Sequence, residues 1–431
     1  MAPSLVVAYV GAVFLSPLSA QAADAPWLTA TMDPASGSFV AGSRHDFKLT
    51  WEVKRPLPVG SEIRVIPPVR RMWSLPTLDA PKPDQPGQAQ VTYRLRFAER
   101  QTAKLDVTVE QYTDRGPPYT ERDPFRQVVF RVQGDELRPG DALEVKFHQN
   151  RVATDTAHRD PARDTAFFTL QVKPAGETRW TDVAGLPTYR LLKPPAARVQ
   201  VRAPSQVVKG EPFVISVSAI DPFNNPTPEF AGAIRLECDD AAATLPSKVE
   251  VSKTTHGVVR VENVVLRQTG QRRITVSAGE PLAEPSSDSA LVHVLDAPPA
   301  LRIFWGELHN HGALSFDARN WGGTTMRPVD MFWYGRHVQN LDFVAVTDHS
   351  MHSAKLQQQN MTEAEFKETQ AAAKEMNDPG RFVAFTACEQ RCARGDTNVY
   401  FLGDSEAFYM KDKPISIQDL WQFYRAAPIV T

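Results

Sequence analysis

The strongest constraint on this chain is a period-two alternation of apolar and polar side chains, in short runs set between prolines, over its first two thirds. Val91-Thr92-Tyr93-Arg94-Leu95-Arg96-Phe97 and Gln127-Val128-Val129-Phe130-Arg131-Val132 are of this kind. Successive side chains of a strand face opposite ways, so such a run buries one face and wets the other, as antiparallel sheets do. Residues 23–193 therefore read as an all-β domain, with long polar loops around 79–87 and 114–123.

Pro194-Pro195 marks a linker. Beyond it Phe213-Val214-Ile215-Ser216-Val217 is followed by the turn chemistry of Asp221-Pro222-Phe223-Asn224-Asn225-Pro226, and further strands are expected over 233–236, 258–266 and 273–278. Residues 194–299 resemble the immunoglobulin-like β-sandwich modules of exported bacterial proteins. A sandwich by itself names no function, and the plain reading of this segment is a spacer.

After Pro298-Pro299 the pattern changes to strands alternating with helices. Leu341-Asp342-Phe343-Val344-Ala345-Val346 is a nearly continuous apolar run, as in a strand buried on both faces. Thr362-x-x-Glu365 is a capping box opening a helix to about Met376, and Asp378-Pro379-Gly380 stops it. Strands are expected over 381–386 and 398–402, and Ser416-x-x-Asp419 opens a second capped helix ending near Ala427. Residues 300–431 thus read as a parallel α/β domain.

Composition bounds the function classes. With 48 basic against 50 acidic residues and a net charge of -2, no nucleic-acid partner is indicated. The uncharged apolar run from Leu5 to Leu15, followed by Ala20-Gln21-Ala22, reads as a secretory signal peptide over residues 1–22. No later run is long enough to cross a bilayer, so no transmembrane segment is expected in the mature chain, which is placed in the periplasm or outside the cell. The three cysteines are too few for a disulfide-built scaffold; Cys388 and Cys392 are near enough in sequence for a local bridge, with Cys238 left free.

Five of the ten histidines, His309, His311, His337, His349 and His352, fall within residues 309–352. In an extended segment His309 and His311 point to the same side, so both imidazoles can converge on one cation. Thr347-Asp348-His349 leaves the buried strand at its carboxyl end, where α/β proteins place functional groups. There His349 is a candidate ligand, and Asp348 either binds metal or orients a ligand histidine. Glu389 follows the next strand and can bridge two cations; Asp396 and Asp317 are further candidate ligands, with the plain alternative that each is only a turn residue, which Asp equally favours. His337 and His352 are read as non-ligands. Cys388 offers a weaker reading as a cysteine nucleophile, with no neighbouring base in the sequence.

Trp305-Gly306-Glu307-Leu308-His309-Asn310-His311, then Asp342-Phe343-Val344-Ala345-Val346-Thr347-Asp348-His349, then Glu389, resemble the polymerase and histidinol phosphatase (PHP) metal-hydrolase superfamily, in particular its exported branch, domain of unknown function 3604. The resemblance runs from Phe304 to Thr431. It implies a distorted β/α barrel, two or three divalent metals (Mn, Zn or Mg), and hydrolysis of a small-molecule or phosphoester substrate. It further implies His309, His311, Asp317, His349 and Glu389 as ligands, with Asp348 adjacent; Asp348 and Glu389 are the candidate catalytic groups. Asp396 stands where the family often has His, and a hard oxygen there suits Mn or Mg better than Zn. Glu307 stands where Asp is common. The chain stops before the later ligands of that barrel, so only the first part of the domain is expected, with an unpaired apolar edge at its last strand, weakened metal affinity and low turnover. A metal-binding surface or periplasmic protein without catalysis is the alternative.

Overall fold

The computed structural model describes residues 26–68, 73–80, 88–99, 102–111, 126–153, 164–320, 324–350, 361–393, 395–401, 408 and 415–425. The expected signal peptide, most of the two polar loops, His352 and the end of the last helix lie outside the described residues.

In the first unit alternation does what the sequence asks of it. Along Arg44–Val53 the buried positions are Phe47, Leu49, Trp51 and Val53, every second residue. This strand pairs with Leu28–Asp33 on one side and Ala142–Arg151 on the other, both antiparallel. Two five-stranded sheets and a three-stranded one close over a single core built on Phe47, Trp51, Phe130, Phe147 and Tyr189.

Residues 198–295 form a β-sandwich. Arg198–Arg202, Pro212–Ile220 and Val258–Val265 make one sheet. Its partner is ordered Gln206–Val208, Ser286–Leu295, Gly270–Ala278, Gly232–Cys238 and Lys248–Val251, and valines, isoleucines and leucines fill the space between. The turn read at 221–226 is held by the buried Asp221, whose carboxylate accepts from the Phe223 and Asn225 amides at 2.8 and 2.9 Å and from Asn225 Nδ2 at 2.7 Å.

The third unit is a four-stranded sheet ordered Gly306–Asn310, Phe343–Val346, Val383–Cys392 and Gly395–Phe401. The first three are parallel, as expected. The fourth departs from the wholly parallel reading: it returns antiparallel to the third, with Glu389 opposite Asn398 and Arg391 opposite Asp396. The reason is the short connection, since a parallel return needs a crossover of a dozen residues or more whereas a tight turn serves an antiparallel one. Helix Glu363–Met376 is capped as read, with the Thr362 amide donating to Glu365 Oε2 at 2.8 Å and the Thr362 hydroxyl accepting from the Glu365 amide. Exposed apolar side chains gather at Leu301, Ile303, Phe304 and Trp305, ahead of the first strand, and at Leu308 within it, while the apolar edge expected at the end of the chain falls on residues 429–431, outside the described residues.

The sandwich is also packed against the third unit. Helix Pro328–Trp333 runs on into a π-helical turn, Tyr334–Val338, and the sandwich grips that turn. Ser216 donates to the His337 carbonyl, Arg260 to the Arg336 carbonyl and, at 3.3 Å, to Asn340 Oδ1, and Asn340 Nδ2 to the Val214 carbonyl at 3.2 Å. Among the described residues no helix is long and apolar enough to cross a membrane.

Candidate metal centre

The centre is built at the carboxyl ends of the three parallel strands. At the first, alternation splits the motif: Asn310 turns inward, donating to the Ala345 carbonyl at 2.6 Å, while its own carbonyl accepts from the Thr347 amide at 2.9 Å. The end of the strand is thereby pinned, and His309 and His311 are sent to the other side. Beyond the second strand the pairing continues as an isolated bridge between His349 and Glu389, with the Ser350 amide donating to the Glu389 carbonyl at 2.8 Å. That register sets His349 and Glu389 side by side.

The result is a convergence of six side chains. Glu389 Oε2 lies 3.1 Å from His309 Nε2, 2.6 Å from His311 Nε2 and 3.5 Å from His349 Nδ1. Asp317 Oδ2 lies 2.9 Å from His311 Nδ1 and 3.6 Å from His349 Nε2, and Asp396 Oδ2 lies 3.9 Å from His349 Nδ1. Three overlapping groups have the spacing a cation needs: His309, His311 and Glu389; His311, Asp317 and His349; and His349, Glu389 and Asp396. The last group's Asp396 comes from the antiparallel hairpin, not from a parallel strand.

The donor set fits a divalent cation on two counts. Imidazole nitrogen and carboxylate oxygen are the ligands of Zn and Mn centres. Moreover, His349 Nδ1 is buried and, among the described residues, has no hydrogen-bond partner, the Glu389 carboxylate lying 3.5 Å away. Buried polar atoms are ordinarily bonded, and lone pairs aimed at a shared space are satisfied by a cation. His311 Nδ1 meanwhile faces Asp317, the carboxylate–histidine pairing that fixes a ligand imidazole.

Electrostatics follow from the crowding. Burial alone would depress the pKa of His311, but Asp317 and Glu389 on either side outweigh it and hold the cation-free imidazolium up to about 10. Burial would raise Glu389, yet the His311 and His349 rings and the bond to His309 pull it down to about 2. Asp317 likewise has burial against it, and the same two imidazoles bring it far below the ordinary carboxylate range.

Asp348 stands apart from the three groups. At the strand exit it points away from His349, and its Oδ1 accepts from the Gly312 and Ser315 amides at 2.7 and 3.0 Å. It shapes the loop that carries the chain from His311 to Asp317, and the orienting role expected of it on a ligand histidine falls to Asp317. Burial pushes its carboxyl up to about 6. Glu307 caps the His309 amide at 2.9 Å. His337 is stacked on Trp333, away from the centre.

Cys388 and Cys392 are both free, so the expected local bridge is not formed. Four residues apart in one strand they are separated by roughly 13 Å, about twice the reach of a disulfide. Burial pushes the Cys388 thiol up to about 12, which removes the thiolate a nucleophile needs.

Two residues of the centre were missed. Arg391 and Asn398 lie on the Glu389 face of the hairpin. Counting by twos from Glu389 would have found Arg391; Asn398 follows only from the hairpin register.

No family model and no curated protein matches the chain. Among solved structures it is similar to a red sea bream transglutaminase, at 14% identity over 62% of this chain and 32% of that one, with a TM-score of 0.17. It is also similar to the ICAM-5 D1-D4 ectodomain fragment, at 12% identity over 66% and 56% with a TM-score of 0.22, and to a chimeric titin Z1Z2, at 10% identity over 60% and 93% with a TM-score of 0.16. The chain spans about a third of the first and little more than half of the second. At these scores the likenesses carry no argument about fold or function.

Proposed function

We propose that the protein is a metal-dependent hydrolase of phosphoester-type substrates, related to the PHP superfamily through residues 300–431. The observation that carries this reading is the convergence of His309, His311, Asp317, His349, Glu389 and Asp396, drawn from four separate stretches of chain. Divalent cations held there supply the charge that polarises a phosphoryl oxygen and acidifies water.

The chain's own residues do the rest. Glu389, kept ionised by three imidazoles, is a permanent acceptor at the middle of the set and serves as a ligand and not as an acid. Asp317 holds the His311 ring. Asp348 is a positioning residue, fixing the 312–315 loop. His309, with its side chain 54% exposed, stands at the mouth where substrate enters. In the reaction water oxygen bonds to phosphorus, the bond to the leaving oxygen breaks, and the water's proton ends on the leaving alcohol.

The test is hydrolysis of p-nitrophenyl phosphate and bis-p-nitrophenyl phosphate with added Mn. Removing one ligand in His309→Ala is expected to cost at least about 100-fold, more than is typical for loss of a residue that only supports a ligand. Equal rates in the two proteins would contradict the assignment. Mn binding without turnover would favour a metal-binding protein with no catalysis.

The apolar run at Leu5–Leu15 and Ala20-Gln21-Ala22 support export on the same footing. Mass measurement of protein from the periplasm or medium is expected to give a chain beginning at Ala23; an intact Met1 in the cytosol would contradict it.

A further inference from the structure

The hairpin that delivers Asp396 also delivers an arginine with spare capacity. Arg391 sits two residues beyond Glu389 on the same strand, so both side chains leave the same face of the sheet. It faces Asp396 across the hairpin, and its Nη1 donates to Asp396 Oδ2 at 3.0 Å. This is its one bond among the described residues, and its Nε is buried with no partner there. A guanidinium has five N–H donors, arranged to match two oxygens of a carboxylate or phosphate. Asn398, opposite Glu389, likewise has a buried Oδ1 with no partner among the described residues. The rim of the centre is therefore polar and under-used beside the residues that hold the cations.

Charge narrows what fits. Asp317, Glu389 and Asp396 bring three negative charges to the overlapping groups. Two divalent cations, if held there, would leave one positive charge in excess, to which Arg391 would add a second. Such a site complements a dianion better than a monoanion.

Resting on the hydrolase reading above, we propose that Arg391 is the specificity residue of this centre: it binds the terminal oxygens of a phosphomonoester and sets a preference for that dianion over a phosphodiester. The simpler role for Arg391 is a hairpin ion pair that steadies Asp396. The two differ in what they move. A clamp on substrate changes KM and the monoester-to-diester ratio, whereas a support for Asp396 changes cation affinity and affects both substrates alike.

The experiment compares wild type, Arg391→Gln and Arg391→Lys, each loaded with Mn, in three measurements: Mn affinity, KM for the two p-nitrophenyl esters, and calorimetric binding of inorganic phosphate. Arg391→Gln is expected to keep its Mn affinity within about threefold, since the nitrogen and oxygen ligands remain. Loss of a charged hydrogen-bond pair is worth about 10- to 100-fold, so its monoester KM and its phosphate dissociation constant should rise by that much. The diester should suffer less, and Arg391→Lys, which keeps charge without the planar fork, should fall between. Unchanged phosphate binding in Arg391→Gln, or equal losses on both esters together with weakened Mn binding, would overturn the proposal. Mn and phosphate binding without turnover in wild type would sink the hydrolase reading and leave the Arg391 clamp standing; wild type that binds no Mn would sink both.

Discussion

At the scale of single residues the centre is governed by one proton. Without a cation His311 is an imidazolium between two carboxylates, with its pKa held near 10. A cation takes a lone pair, so binding at pH 7 must expel that proton. Calorimetry of Mn binding at pH 7, in buffers of different ionisation heat, is expected to report release of about one proton or more. Affinity should rise roughly tenfold per pH unit between 7 and 9 for each proton released. No proton release would contradict the assignment of His311. The same shift fixes the sign of the cation-free protein's pH dependence. His311 is raised above its ordinary 6.5, so its contribution to stability is full below pH 6.5 and is lost as pH rises through about 10. The melting temperature in chelator should fall over that window and recover in excess Mn. Most of this centre could be read from spacing, because HxH, DH and a strand-end Glu are chemistry-bearing types at fixed intervals. The division of labour between Asp348 and Asp317 could not, since it turns on which way each side chain leaves a strand exit or a loop.

At the scale of elements the site depends on where the first strand sits. A Cβ on Gly306 would lie 2.3 Å from the Phe343 ring and 2.4 Å from the Phe343 carbonyl oxygen, so any side chain there pushes the strand carrying His309 and His311 off its neighbour. Gly306→Ala is expected to cost about 1–3 kcal/mol by overpacking, read by chemical denaturation, and to weaken Mn binding with it. A variant as stable as wild type would show that the strand is not seated as described. The capped helix gives a milder case: Thr362→Ala should cost about 1 kcal/mol and leave Mn affinity alone. Helix caps and alternating runs are local and were legible for that reason. The antiparallel return was legible in principle, because only a few residues separate Cys392 from the strand beginning at Gly395, but the expectation of a wholly parallel sheet overrode that count.

At the scale of the whole molecule the two proline pairs mark changes of pattern that coincide with changes of architecture, yet the sandwich is also bonded to the unit that follows it. Ser216, Arg260 and Asn340 tie it to the π-helical turn behind the sheet. Nothing in the sequence singles these out, because Ser216 and Arg260 on strand surfaces and Asn340 in a loop look like any solvated residues. Arg260→Ala removes charged donors to a carbonyl and an amide, worth about 1.5–3 kcal/mol. Amide exchange over residues 334–340 should accelerate about 10- to 100-fold while the sandwich strands keep their protection. Unchanged exchange there would mean that the two units are joined only by their linker.

The central claim is that His309, His311, His349 and Glu389 hold divalent cations within the overlapping groups they form. Anomalous diffraction from crystals grown with Mn tests it most directly. The expected result is a peak among these four side chains, with imidazole nitrogens and the Glu389 carboxylate at about 2 Å from it and the direct His311–Glu389 contact opened. An empty map at that position in millimolar Mn, with Glu389 still touching His309 and His311, would contradict the claim.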